Sequence, residues 1–304
     1  LGADYYIKTT EDLLSTVRLP SSFGYTTTID NVGSIENKGV ELSLFAQLFS
    51  ADFRWSLDGN ISFNRNKVLS LNEGQPILTN FINVITIADN FSIMEEGKPL
   101  GQFYGYQEDG YTESGAIKFK DLNNDGEISE EDKTYIGNPN PDFFYGFNSN
   151  MTYKGFQLDL FFQGSQGNDI MNVSAISSTM DYGQGLNMPE EVLTDNWTPQ
   201  NPDAKYPKIS RNSSARVSDR FVEDGSYLRL KNVLLAYNFP LKKSKGNFLQ
   251  SLRIYASGQN LLTFTDYSWW DPEVNSKGSD NRLGIDHFSY PIPKSYTIGL
   301  NATF

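Results

Sequence analysis

The chain has 304 residues, 38% of them hydrophobic and 14% aromatic, enough to bury a substantial apolar surface. With 25 Lys and Arg against 37 Asp and Glu, a formal charge of -12 and no basic block, it has nothing with which to track a phosphate backbone, which excludes nucleic acid as a partner. The lack of cysteine removes disulfides, thiolate zinc sites and cysteine nucleophiles, and no apolar run is long enough for a transmembrane helix. A strand, however, crosses a bilayer with only about 9–11 residues, every second one facing lipid.

Taken in chain order, period-two alternation predicts eight strands. The first, less regular, lies between Leu1 and Leu13. "GVELSLFAQL" puts Val40, Leu42, Leu44, Ala46 and Leu48 on one face, and "FRWSLDGNISF" does the same with Phe53, Trp55, Leu57, Gly59, Ile61 and Phe63. Then come Phe147, Ser149, Met151 and Tyr153, followed by Phe156, Leu158, Leu160 and Phe162, and later Val233, Leu235, Tyr237 and Phe239. A segment from Leu252 to Leu262 is less regular. The last, "SYTIGLNATF", sets Tyr296, Ile298, Leu300, Ala302 and Phe304 against Thr297, Gly299, Asn301 and Thr303.

The connections alternate in length. "FSAD", "YKG" and "PLKKSKGNF" are short; 14–35, 68–143, 168–226 and 264–294 are long. Sandwiches give no reason for such alternation, whereas outer-membrane barrels put short turns on the periplasmic side and long loops outside. Tyr5, Tyr6, Trp55, Tyr153, Phe156, Tyr237 and Phe239, near strand ends, are candidates for interfacial girdles. Glu41, Arg54, Asp58, Asn60, Asn64, Gln157, Asp159 and Gln163 fall on the wet faces and would line a hydrated lumen. The competing reading is a soluble β-protein whose dry faces pack on each other and whose wet faces meet solvent.

"DLNNDGEISEED", 121–132, has the spacing of a calcium loop. Side-chain oxygens of Asp121, Asn123, Asp125 and Asp132 stand at positions 1, 3, 5 and 12, the Glu127 carbonyl at 7, and Gly126 permits the sharp turn at 6. Asp at 12, where Glu is usual, points to weak affinity suited to millimolar extracellular calcium, with magnesium as the competing ion. The alternative is a tight turn that Asn, Asp and Gly favour for backbone reasons. In either case the motif falls in the 68–143 link, where an ion tying two loop ends would offset ordering entropy.

Other features carry less. His287, the sole histidine, has Asp286 and Ser289 as sequence neighbours, but adjacency does not make a triad, and no enzyme is expected. Trp269 and Trp270 stand ready either to stack on a sugar or fill a partner's pocket, or to pack within their own loop. The 182–187 and 275–281 segments read as loop tips, and one short helix is predicted over Pro189 to Trp197.

The stretch "DLNNDGEISEEDKTYIGNPNPDFFYGFNSNMTYKGFQLDLFFQGSQGNDIMN" resembles the C-terminal part of the SusC/RagA family of TonB-dependent outer-membrane transporters. So, in order, do "DLLSTVRLPSSFGYTTTIDNVGSIENKGVELSL", "GKPLGQFYGYQEDG", "SYLRLKNVLLAYNFP", "GQNLLTFTDYSWWDPEV" and the closing "YPIPKSYTIGLNATF". The resemblance implies an all-β protein of the Gram-negative outer membrane, a barrel of 22 strands with an N-terminal plug, a segment that contacts TonB, and a SusD-like surface lipoprotein as lid. It implies active import of oligosaccharides or peptides. The sequence departs from that pattern by holding about eight strands, without plug or first fourteen strands, so residues 1–304 are expected to work with the remaining N-terminal barrel and plug. Two alternatives stay open: a soluble, calcium-stabilised carbohydrate-binding β-domain, and a small autonomous barrel, whose eight strands would leave an interior filled by side chains.

Overall fold

The computed structural model describes residues 1–18, 27–31, 33–71, 74–84, 87–180, 187–210, 215–241, 248–274 and 283–304; the loop tip expected at 182–187, all but its last residue, and that at 275–281 lie outside the described residues. In chain order the strands are β1 (Gly2–Thr10), β2 (Leu14–Arg18), β3 (Thr27–Asn31), β4 (Gly33–Ser50), β5 (Phe53–Leu71), β6 (Ile77–Asn83), β7 (Ala88–Met94), β8 (Gln102–Gly105), β9 (Glu108–Tyr111) and β10 (Ile117–Phe119). They continue with β11 (Thr134–Gly137), β12 (Phe143–Tyr153), β13 (Phe156–Gln166), β14 (Asp169–Asn172), β15 (Val222–Asp224), β16 (Tyr227–Asn238), β17 (Ser251–Thr265), β18 (Ile285–Asp286) and β19 (Ser295–Thr303). Helices α1 (Val173–Met180) and α2 (Glu191–Thr194) lie between β14 and β15.

Eight strands, in the order β1-β4-β5-β12-β13-β16-β17-β19, form one antiparallel meander, the eight that the alternation predicts. The registers align their dry residues in rows. Leu44 lies opposite Gly59, Gly59 opposite Phe147, Phe147 opposite Phe162, Phe162 opposite Leu230 and Leu230 opposite Leu262. Among the described residues no second layer covers these rows: Leu44 is 54% and Ile298 85% exposed. A soluble sandwich would bury that face, so the competing soluble reading fails here; the wall turns its apolar side outward, as lipid-facing strands do. Among the described residues β1 and β19 do not pair with each other, so the sheet is an open wall with two free edges rather than a closed eight-strand barrel.

One bulge explains an irregularity in the sequence. Phe161 and Phe162 of β13 face Asn232 and Leu230 of β16, leaving Lys231 without a register partner. The extra residue shifts the dry face from Val233, Leu235 and Tyr237 to Leu230 and Leu228, which is why the alternation breaks at that point. At the short-turn end, Lys154 (φ 45) and Gly155 (φ 89) both have positive φ, as a type I′ hairpin requires. A Cβ on Gly155 would stand 2.7 Å from the Asn238 carbonyl oxygen.

Aromatic rings gather at the short-turn end. Phe49 contacts Phe53 and Trp55 at 5.7 and 6.2 Å between centroids, Phe53 meets Tyr153 at 6.5 Å, and Phe156 meets Tyr237 at 4.6 Å. A second group, Phe63, Phe143 and Tyr145, sits at the other end of β12. β12 is 11 residues long; at about 3.3 Å per residue and a tilt of about 40°, that is about 28 Å of height, matching an apolar band of about 25 Å between girdles. The Trp55 indole N–H donates to Ser149 Oγ at 3.0 Å, so this polar pair on the outer face leaves no bare donor to lipid. Tyr6 does not join the girdle expected of it. Odd and even positions of β1 face opposite sides, and Tyr6 Oη donates inward to Asn64 Oδ1 at 3.0 Å.

The long connections are folded into a cap. β11-β8-β7-β6 form a four-stranded sheet, β15-β14-β18 a three-stranded one, and β9-β10 and β2-β3 are hairpins. The molecule's main core is here: Phe103, Tyr106, Met171, Ile176, Val192 and Val217 are buried together. The upper part of β5 enters a smaller core of Val68, Leu71, Met94 and Leu100. The helix predicted over Pro189 to Trp197 is only Glu191–Thr194, because Trp197 turns away to donate its N–H to the Tyr206 carbonyl at 2.8 Å. Helix α1 was not expected. Its Val173, Ile176 and Met180 pack into the core at helical spacing, while Asn172 Oδ1 accepts the Ala175 N–H at 2.9 Å.

Candidate functional site

The wet face of the wall is built of side chains that bond to each other across strands. Arg253 donates to Gln157 Oε1 at 3.1 Å, and Gln157 Nε2 donates to Asp159 Oδ2 at 2.7 Å. Asn64 Nδ2 donates to Asn37 Oδ1 at 3.2 Å. A surface of bonded amides and charges suits a water-filled passage, although Asp159 Oδ1 and Arg253 Nε are buried without a hydrogen-bond partner among the described residues.

Where the wall meets the cap, Arg229 becomes the centre of a clasp. It is 1% exposed, and it binds Asp271 Oδ1 at 2.6 Å, Glu273 Oε2 at 2.9 Å and Thr263 Oγ1 at 3.0 Å. Lys231, displaced by the bulge, reaches Glu273 Oε2 at 3.1 Å, and Gln163 Nε2 donates to Glu273 Oε1 at 3.3 Å. One buried cation satisfied by two carboxylates fixes the start of the 264–294 connection across the wet face. Of these residues the sequence had singled out only Gln163. Arg229 lies 42 residues from Asp271, and no local pattern joins them.

The same connection holds the tryptophan pair and His287. Trp269 packs on a small core of Ile170, Tyr267 and Val274, while Trp270, 68% exposed, meets it edge-on with centroids 6.3 Å apart. Asp286 does not orient His287. It is buried, and it accepts from Tyr267 Oη at 2.7 Å and Ser174 Oγ at 3.3 Å. Burial and this carboxylate together hold the Tyr267 hydroxyl protonated far above the usual phenol range. His287 itself is exposed beside Phe288.

In the 121–132 loop the turn gathers Asp121, Asn123 and Asp125. Asp121 Oδ1 accepts the Asn124 N–H at 2.6 Å and its Oδ2 the Gly126 N–H at 2.8 Å; Asp125 Oδ1 accepts the Glu127 N–H at 2.8 Å. Asn123 Nδ2 donates to Asp125 Oδ2 at 2.8 Å. Asp132 is buried and engaged elsewhere. Its Oδ1 accepts from the Leu122 N–H at 2.7 Å and its Oδ2 from the Ser129 N–H at 2.8 Å, a capping box that clasps the two ends of the loop. These backbone bonds, the one from Ser129 foremost, hold its carboxyl below the usual range. Among the described residues no three His, Cys, Asp or Glu side chains stand close enough together to hold a metal ion. As folded, the residues fit a calcium shell only in part.

The cap also contains a cavity of about 880 Å³ that no sequence signal marked. It is lined by the β9–β10 hairpin, the segment around Trp197, and Asp219 and Arg220, positions too far apart in the chain to form a motif.

No family model matches the chain. TonB-dependent receptor P3 of Formosa agariphila is 37% identical over 326 residues, covering 100% of this chain and 32% of that protein. TonB-dependent receptor SusC of Bacteroides thetaiotaomicron is 30% identical over 315 residues, covering 100% of this chain and 30% of that protein. Among solved structures, the RagAB peptide transporter superposes with a TM-score of 0.84 and 27% identity, over 99% of this chain and 33% of that one. The chain thus spans about a third of the length of the relatives it matches. Over that third it is SusC/RagA-type TonB-dependent receptor sequence, and its eight strands and their cap are part of a β-barrel of the Gram-negative outer membrane.

Proposed function

We propose that these residues form the C-terminal portion of a TonB-dependent importer that takes up oligosaccharides or peptides, contributing eight of its 22 strands and the loops above its mouth. The observation that carries this is the open wall: apolar outside, cross-linked polar inside, with two free edges. Unpaired backbone at an edge is not tolerated in lipid, and the remaining N-terminal strands of the same receptor supply the partners. The plug and the TonB-contacting segment belong to that remainder, and a SusD-like lipoprotein closes over the cap. No catalytic role is assigned. The test is uptake of labelled oligosaccharides and peptides by cells carrying the full-length receptor, with and without TonB. Accumulation against a gradient that vanishes without TonB is expected; uptake indifferent to TonB would remove the importer reading.

The calcium reading of the 121–132 loop is retained as a structural one. It is supported by the spacing of Asp121, Asn123, Asp125 and the Glu127 carbonyl, with Asp132 bracing the loop from behind, and magnesium as the competitor. Terbium luminescence and calorimetry on the full-length receptor check it. Calcium displacing terbium at millimolar concentration, with loss in Asp121→Ala, is expected; no uptake at that concentration would leave a loop closed by hydrogen bonds alone.

A further inference from the structure

We propose that the 880 Å³ cavity of the cap is a binding site for neutral oligosaccharide. Its size is that of a small-molecule site, and its construction is rigid. The main chain at Trp197 is held by its amide N–H, which donates to the Tyr206 carbonyl, and the ring rests on Gly115 (φ +81), where a Cβ would stand 2.3 Å from ring atom Cε3. One ring face is thus occupied by backbone while the indole still lines the cavity. In the same lining, Tyr111 Oη accepts from Arg220 Nη2 at 2.8 Å and donates to the Lys205 carbonyl at 2.9 Å. Arg220 is paired with Glu108, and Asp219 Oδ1 accepts the Glu108 N–H at 2.9 Å. An aromatic surface beside the exposed carboxylates of Glu113 and Asp203, which accept from hydroxyls, is the chemistry that reads a sugar, an apolar ring face edged with hydroxyls.

Two further features narrow the class. Arg220 is neutralised by Glu108, and Lys205 by Glu191 at 3.1 Å, whereas Glu113 and Asp203 have no ion-pair partner among the described residues. The rim is therefore net negative and opposes sulfated or carboxylated chains. Two backbone groups that a peptide strand would pair with are already engaged: the Lys205 carbonyl accepts from both Tyr111 and Arg220, and the Glu108 N–H is bound by Asp219. A neutral oligosaccharide meets neither obstacle.

The proposal rests on the import reading only in placing the cavity above the passage; binding is measured without transport. Full-length receptor in detergent is titrated calorimetrically with neutral hexose hexasaccharides, the same chains sulfated, and hexapeptides. Binding of at least one neutral chain is expected, with affinity lowered about tenfold or more in Trp197→Ala and unchanged in Trp270→Ala, a residue outside the cavity. Because Trp197 also packs, the exposed pair Glu113→Lys and Asp203→Lys provides a second reading: it shifts preference toward the sulfated chain by about tenfold. Neutral chains that bind equally well to all variants, or peptides that bind while no saccharide does, overturn the proposal. In the latter case TonB-driven peptide uptake would leave the importer reading standing; uptake indifferent to TonB would remove that reading separately.

Discussion

The wall and the cap share one chain and one alphabet of residues but have opposite sidedness. In the wall the large apolar residues are outside, and the bonded amides and charges are inside; in the cap Phe103 and Ile176 are fully buried, and the buried cation Lys133 is matched by Asp89 and Glu130, both at 2.7 Å. The difference shows that an alternating strand does not specify which of its faces is the interior. The surroundings decide it: lipid takes the dry face of β4, and a second protein layer takes the dry face of β8. The strongest way to break this comparison is to empty the cap. Phe103→Ala should cost about 3–5 kcal/mol, opening the cap to protease while the wall keeps its heat-dependent gel mobility in the full-length receptor. If both unfold together, cap and wall are one cooperative unit.

A paired substitution sharpens the same contrast. Leu44 and Leu193 are both exposed, at 54% and 68%, and a surface map would treat them alike. Leu44 sits mid-height in the outward row, so Leu44→Arg should destabilise by about 2–4 kcal/mol, the cost of a cation near the bilayer midplane. Leu193, on α2 in the cap, faces water, and Leu193→Arg should change stability by no more than about 0.5 kcal/mol. Denaturant titration of the receptor in lipid vesicles measures both. Equal effects would mean that the outward face of β4 does not meet lipid.

How much of this was legible depends on whether the determinant is local. All eight wall strands could be read, because period two, short hairpins and alternating loop lengths are written within a few residues. Their full extent could not: β5 runs 19 residues because its upper end is held by the cap, where Leu71 N–H donates to Glu96 Oε1 at 2.7 Å and Val68 N–H to the Lys98 carbonyl at 2.9 Å. The cap strands are short and irregular, and α1, "VSAISSTM", is poor in strong helix formers; both owe their form to packing. The acids of 121–132 were visible as a spacing, but the inward turn of Asp132 was not, since it depends on the 3-10 turn at Glu130–Asp132. Arg229 and Arg220 were invisible for the same reason: each meets its carboxylate across a distance in sequence that no motif spans.

A smaller effect tests whether the outer face is as dry as the rows imply. Ser149→Ala removes the acceptor of the Trp55 indole N–H. In water the orphaned donor would find a new partner at little cost, but against lipid it stays bare, so a loss of about 1–2 kcal/mol is expected. Trp55→Phe in the same background should recover part of it by removing the donor. A double-mutant cycle in vesicles reads the coupling, and its absence would place that end of the belt in water.

The smallest effect belongs to the cap alone and concerns pH. Asp132 binds the N–H groups of Ser129, Leu122 and Asn123 as a carboxylate, and its folded pKa therefore lies below its unfolded one. The sign follows: the loop gains this stabilisation fully above the unfolded carboxylate pKa, about 3.9, and loses it as pH falls through the lower folded value. Protease cleavage within 121–132 should accelerate over that acidic window, by an acid-stable protease such as pepsin, while the wall, whose strands are held chiefly by backbone sheet bonds that do not titrate, keeps its gel mobility. Asp132→Asn should remove the pH dependence and leave cleavage fast throughout, because a neutral amide cannot accept at both Oδ1 and Oδ2. Cleavage that stays slow in Asp132→Asn would mean that the loop is held by Asp121 and the turn, with Asp132 contributing only its bulk.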